Sequence, residues 1–195
     1  MIRRYSAVLV DVGTGDGRAV LGAAGVDSGR LVVGVDANGA GMVEASRWAA
    51  RRGVDNAVFV VAAAERLPGE LDGVADEVTV NFPWGSLLRG LVAADATILG
   101  GIVRMMKADA ALSVLLSVTD RDHGAGVGSI DGNALDNLVA GYAAHGLAVT
   151  GIRPLSAAEV VAAGSSWGKR LGAGERRPAW RIEARRIASS AIRTG

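Results

Sequence analysis

The stretch Val8-Leu-Val-Asp-Val-Gly-Thr-Gly-Asp-Gly-Arg18 constrains this chain more than any other. An apolar run ends on Asp11. Glycines follow at alternate positions, Gly13, Gly15 and Gly17, and Ala19–Ala24 then reads as a helix. Strand, tight glycine turn and helix is the opening unit of a nucleotide-type α/β domain. Glycine tolerates positive φ and lets a ligand approach the backbone closely. The helix start adds N–H groups without intrahelical partners.

The spacing narrows the ligand. A dinucleotide fold favours G-x-G-x-x-G, with a pyrophosphate at the helix start. Here the order is D-x-G-x-G-x-G, with Asp11 before the turn and Asp16 inside it. Like charges repel, so two acids are poor neighbours for a pyrophosphate. They suit a zwitterion or a cation. S-adenosyl-L-methionine (SAM) carries an ammonium, a carboxylate and a sulfonium, and it is the ligand this turn predicts.

Further elements follow in an alternating order. Strands are expected over 6–12, 31–36, 56–62, 75–81, 110–118, 147–152 and 179–184. Helices are expected over 18–25, 39–52, 86–107 (broken near 93–95), 132–145 and 156–163, with a loop over 119–131. The helix over 132–145 is expected to show Leu135, Leu138, Val139 and Tyr142 on one face. Ser156 and Glu159 have capping-box spacing. This is the plan of an α/β, Rossmann-like class I SAM-dependent methyltransferase domain. Its seven-stranded sheet is mostly parallel, with an antiparallel last strand.

Several residues stand where that plan puts chemistry. Asp36 ends the second strand about 20 residues after the glycine turn, the spacing at which a carboxylate reaches ribose hydroxyls. Ala63 and Ala64 are small enough for a flat adenine to lie against the backbone, and Glu65 can bond its polar edge. The run Asn81-Phe-Pro-Trp-Gly-Ser86 follows the fourth strand, beside the reactive end of a bound cofactor. Pro83 and Gly85 set Trp84 on a loop, where it can stack on a planar substrate or close a core. Asn81-Phe-Pro-Trp84 also looks like the Asn-Pro-Pro-aromatic motif of exocyclic-amine methyltransferases, apart from its second position.

Composition excludes other classes. The 195 residues suit one domain over 1–195. With no cysteine, disulfide and thiolate chemistry are absent. His123 and His145 cannot build a metal site alone, and no metal is expected. No apolar run is long enough to span a bilayer, and Met1–Tyr5 lacks a signal-peptide core. A cytoplasmic protein without a membrane partner is expected. The net charge of +1 is uneven: from Trp167 to Gly195 eight basic residues face two acidic ones. A basic end of this kind suits a polyanion or a solvated tail.

Taken together, Val10–Arg18, Gly34-Val-Asp36, Ala62-Ala-Ala-Glu65-Arg-Leu-Pro68, Phe82-Pro-Trp-Gly-Ser-Leu-Leu88 and Trp167-Gly-Lys-Arg-Leu171 with Arg176-Arg177 resemble one family. It comprises the kanamycin–apramycin resistance methyltransferases, which modify N1 of adenine 1408 in 16S rRNA of the 30S subunit. The likeness runs from Val8 to Arg185. It implies that SAM is the methyl donor and S-adenosyl-L-homocysteine the product. Asp11, Gly13, Thr14, Gly15 and Gly17 would then hold the methionine part, Asp36 the ribose, and Ala63, Ala64 and Glu65 the adenine, with Phe82 also on the cofactor. Trp84 and Trp167 would sandwich the flipped base, with Ser165 in support. Arg51, Arg52, Lys169, Arg170 and Arg177 would contact rRNA. A monomer is expected. The family also carries a short hairpin before the first strand; here five residues precede it, so a smaller rRNA-facing surface is expected. Rival readings are a tRNA guanine-N7 or exocyclic-amine methyltransferase, or a small-molecule methyltransferase.

Overall fold

The computed structural model describes residues 2–118 and 132–188, with the side chains at 3, 132–136, 166 and 167 outside that description. The loop expected over 119–131 therefore lies outside the described residues. Seven strands form one sheet: β1 (Ala7–Val12), β2 (Arg30–Asp36), β3 (Ala57–Val61), β4 (Ala75–Asn81), β5 (Met106–Leu116), β6 (Leu147–Pro154) and β7 (Trp180–Arg186). Their order is β3-β2-β1-β4-β5-β7-β6. Only β7 runs against its neighbours. β1 and β2 are buried along nearly their whole length, as strands covered on both faces must be.

The helices are α1 (Arg18–Val26), α2 (Gly39–Arg52), α3 (Gly85–Val92), α4 (Ala96–Met105), α5 (Gly132–Ala144), α6 (Ala157–Ala162) and α7 (Ser166–Leu171). The expected break near 93–95 is a 90° bend between α3 and α4. Asp95 caps the second of them by accepting from the Thr97 and Ile98 N–H groups. The Ser156–Glu159 capping box forms as its spacing predicts. Helix α2 ends at Gly53, whose N–H bonds back into the last turn from a left-handed conformation. On α5, Leu138 and Tyr142 are buried, but Val139 faces out. Among the described residues, no single helix is long and apolar enough to cross a membrane.

One strand boundary changes. Strand β5 starts at Met106 rather than 110, because a register shift near Ala75 and a positive φ at Asp109 lengthen the pairing past an irregularity. The run Ser165–Leu171, with too few residues to show a period, is a short helix. Much of the basic C-terminal segment also proves structural. On β7 the Arg185 guanidinium donates to the Asp109 carbonyl and that of Arg186 to the Met106 carbonyl. Arg181 lies 3.8 Å from Glu183.

Candidate functional site

The carboxyl ends of β1, β2 and β4 open into a cavity of about 550 Å³, a size typical of small-molecule sites. Its floor is the glycine turn. Gly13, Gly15 and Gly17 all hold positive φ, between 60° and 77°, which favours glycine. Asp36 ties this turn down: one carboxylate oxygen accepts the Gly15 N–H at 2.8 Å and the other accepts the Asn38 N–H at 2.8 Å. Each oxygen keeps a further lone pair for a hydroxyl.

Asp11 sits deeper. It is buried, and one oxygen accepts from the Thr79 hydroxyl at 2.8 Å and the Asn81 amide at 3.0 Å. Burial pushes its carboxyl above the ordinary range, and the Asp36 charge pushes the same way against its hydrogen bonds. Register explains the cluster, because Asp11 lies directly across from Thr79 in the parallel β1–β4 pair. Elsewhere on the lining, the Ser86 hydroxyl holds Glu65 below the usual carboxylate range.

The opposite rim is the loop after β4. Phe82 has a φ of 52°, an uncommon conformation for a bulky residue. Two anchors hold it: its N–H donates to the Leu115 carbonyl at 2.8 Å, and its ring is buried with Leu115, Leu155 and Val160. The turn throws Trp84 outward, 58% exposed, onto the cavity wall. Ser165, also on the lining, accepts the Gly168 N–H at 3.2 Å and caps α7.

The cavity therefore collects Asp11, Gly13, Thr14, Gly15, Asp36, Ala63, Ala64, Glu65, Phe82, Trp84, Ser165 and Arg170. Phe82 lines the cavity while its ring packs in an apolar cluster. Gly17 falls outside the lining: a β-carbon there would stand 2.6 Å from the Phe59 ring, so its smallness serves packing. Arg51 and Arg52 end α2, roughly 15 Å of helix beyond Gly41 on the cavity lining at 1.5 Å per residue. Arg52 lies over the Trp48 ring at 5.5 Å. Lys169 is exposed and Arg177 half-buried in the loop after α7. Trp167 lies on α7, with its side chain outside the described residues. Asp16 lines the cavity beside the glycine turn, as its place in that turn predicts, whereas Thr79, bonded to Asp11, and Asn38 join the site without a sequence signal that singles them out for it. The donor set fits SAM: acids at the glycine turn for an ammonium, Asp36 for a ribose, small residues for an adenine. Among the described residues no group of acids or histidines could hold a metal ion.

A family model described as NpmA, 16S rRNA (adenine(1408)-N(1))-methyltransferase, matches residues 1–186. The chain belongs to this family. A 16S rRNA (adenine(1408)-N(1))-methyltransferase of Streptoalloteichus hindustanus is 36% identical over 181 residues, which are 86% of this chain and 81% of the relative. A tryptophan-to-alanine variant of the enzyme from Catenulisporales acidiphilia, crystallised with its cosubstrate SAM, superposes with a TM-score of 0.86 at 30% identity. It covers 97% of this chain and 89% of its own. The antibiotic-resistance methyltransferase Kmr superposes with a TM-score of 0.80 at 36% identity, covering 97% and 91%. The seven-stranded order and the glycine-turn cavity are thus those of an rRNA methyltransferase family.

Proposed function

We propose that this chain methylates N1 of adenine 1408 in the 16S rRNA of the 30S subunit, with SAM as methyl donor, and thereby confers aminoglycoside resistance. The observation that carries the reading is Trp84. An indole 58% exposed, held by a strained and packed turn on the rim of a glycine-turn cavity, is a stacking platform for a planar base. Base–aromatic stacking contributes roughly 1–3 kcal/mol per base.

When bound, SAM supplies an electrophilic methyl group on its sulfonium. The protein's residues orient and enclose. Asp36 positions the glycine turn and offers lone pairs to a ribose. Asp11 and Asp16 hold negative charge where an ammonium rests. Trp84, with Trp167 from α7, holds an adenine that has left its stack, as a base buried in folded RNA must before its ring atoms can react. N1 carries an in-plane lone pair, so no proton has to be removed before transfer. Acceleration then comes from placing N1 in line with the methyl group, which accords with a cavity whose lining, among the described residues, has neither histidine nor cysteine.

Recognition of the 30S subunit would rest on shape and phosphates. Lys169 and Arg177 lie around α7, and Arg51 and Arg52 offer a second basic point at the far end of α2 from the cavity, an arrangement that suits a ribosome more than a small molecule. A 30S substrate puts this work in the cytoplasm, and a monomer suffices for it. The test incubates purified protein with 30S subunits and labelled SAM, then digests the rRNA to nucleosides. 1-Methyladenosine is the expected product; label in N6-methyladenosine or 7-methylguanosine would move the reading to a rival class.

A further inference from the structure

Resemblance alone places Arg170 among the rRNA contacts, and its position points elsewhere. Among the described residues that line the cavity, four are acids, Asp11, Asp16, Asp36 and Glu65, and the one cation is Arg170. It reaches the cavity from α7, beyond the turn Gly164–Ser165. That turn lies against the start of α1: a β-carbon on Gly164 would stand 3.7 Å from the Ala19 backbone. Gly164 and Ala19 therefore meet, and both line the cavity together with Asp16, Ser165 and Arg170.

The chemistry of an amino-acid ligand requires such a group. An α-amino acid presents an ammonium and a carboxylate a few ångströms apart. The acids at the glycine turn attract the first and repel the second. A cation lining the same cavity resolves the conflict, and a guanidinium does so with a planar fork that matches a carboxylate.

On the cofactor reading above, we infer that Arg170 binds the α-carboxylate of SAM and so ties α7 to the filled cavity. Arg170 is exposed at the cavity mouth, so the pair is partly screened. Its consequence is larger than its strength. Helix α7 also carries Trp167, so a ligand that engages Arg170 favours the position of the base-holding helix. Coupling of this kind is reciprocal: SAM raises affinity for the 30S subunit, and the 30S subunit raises affinity for SAM by the same factor.

The test is calorimetric binding of SAM, decarboxylated SAM and 5′-methylthioadenosine to the wild-type protein and to Arg170→Ala, without 30S subunits. The wild type should prefer SAM over its decarboxylated form by about tenfold, the scale of one hydrogen-bonded charge pair. In Arg170→Ala, SAM should weaken about tenfold, the other two ligands should hold their affinity, and the preference should vanish. Arg170→Lys should recover part of it. Unchanged SAM affinity in Arg170→Ala, or equal weakening of all three ligands, would overturn the inference while leaving the cofactor reading intact. Failure of the wild type to bind SAM at all would overturn the cofactor reading and this inference with it.

Discussion

The ring of Phe82 rests on the backbone of Gly168: a β-carbon on Gly168 would stand 2.5 Å from Phe82 Cε2. This contact sets the distance between the loop that carries Trp84 and the helix that carries Trp167. Phe82 cannot yield easily, since its ring is packed with Leu115, Leu155 and Val160 and its backbone is bonded to Leu115. Gly168→Ala should therefore move α7. A displacement near 1 Å is enough to lower turnover about 100-fold, and overpacking should destabilise the fold by about 1–3 kcal/mol. Single-turnover methylation and thermal unfolding check both; wild-type turnover in a stable variant would mean that the contact sets nothing.

Trp84 and Trp167 should act on the base and leave the cofactor alone. Trp84→Ala and Trp167→Ala should each abolish methylation while SAM affinity changes by less than about threefold, since neither is assigned a hydrogen bond to it. Equilibrium dialysis with labelled SAM separates the two effects. A matching loss of SAM binding would make these residues part of the cofactor cavity instead.

Asp36 should show the opposite signature. Its carboxylate holds Gly15 and, on the proposed cofactor reading, would face the ribose. Asp36→Ala removes the two roles together, and SAM affinity should fall roughly 10–100-fold, as when charge-assisted hydrogen bonds are removed. Retained affinity would mean that the ribose sits elsewhere.

Asp11 trades stability for binding. Its folded carboxyl titrates above its ordinary value of 3.8 because burial disfavours the charge. For an acid raised in this way, the protonated form stabilises the fold at pH below the unfolded value, and that contribution disappears as pH rises through the folded value. At neutral pH the ionised group is a cost. Asp11→Asn should thus unfold at a higher temperature than wild type at neutral pH, with the gap closing as pH falls toward about 4, near the unfolded value. SAM affinity should fall, because the ammonium is deprived of a charge partner. A variant less stable than wild type at neutral pH would contradict the burial cost.

How far a residue's role can be read from sequence depends on how that residue reaches the cavity. The glycine turn, Asp36 and Phe82–Trp84 are legible because they are strand ends, and chain order alone brings strand ends to one edge of a parallel sheet. Thr79 is not, since it meets Asp11 through register between β1 and β4. Arg170 reads as one more cation of a basic segment, because α7 is 6 residues long, too short for a periodic pattern to reveal which side faces inward. Arg185 and Arg186 read as part of a basic tail until pairing places them on β7, where their guanidinium groups cap carbonyls of β5. The apolar run of β5 likewise hides its start, because a run of residues carries no mark for a register shift.

Salt should report the second rRNA contact. Replacing Arg51 and Arg52 together with alanine should weaken 30S binding and reduce the slope of log affinity against log salt by about 1–2, roughly one unit for each phosphate the pair no longer neutralises. SAM affinity should hold, since both lie at the far end of α2 from the cavity. An unchanged slope would leave these arginines as solvated helix ends.

The most direct measurement is primer extension across the decoding site of 30S subunits treated with the protein, with and without SAM. A SAM-dependent stop at adenine 1408, absent in Trp84→Ala, is the expected result. A protein that binds SAM yet leaves that position readable, or that places its stop at another nucleotide, would contradict the proposed activity.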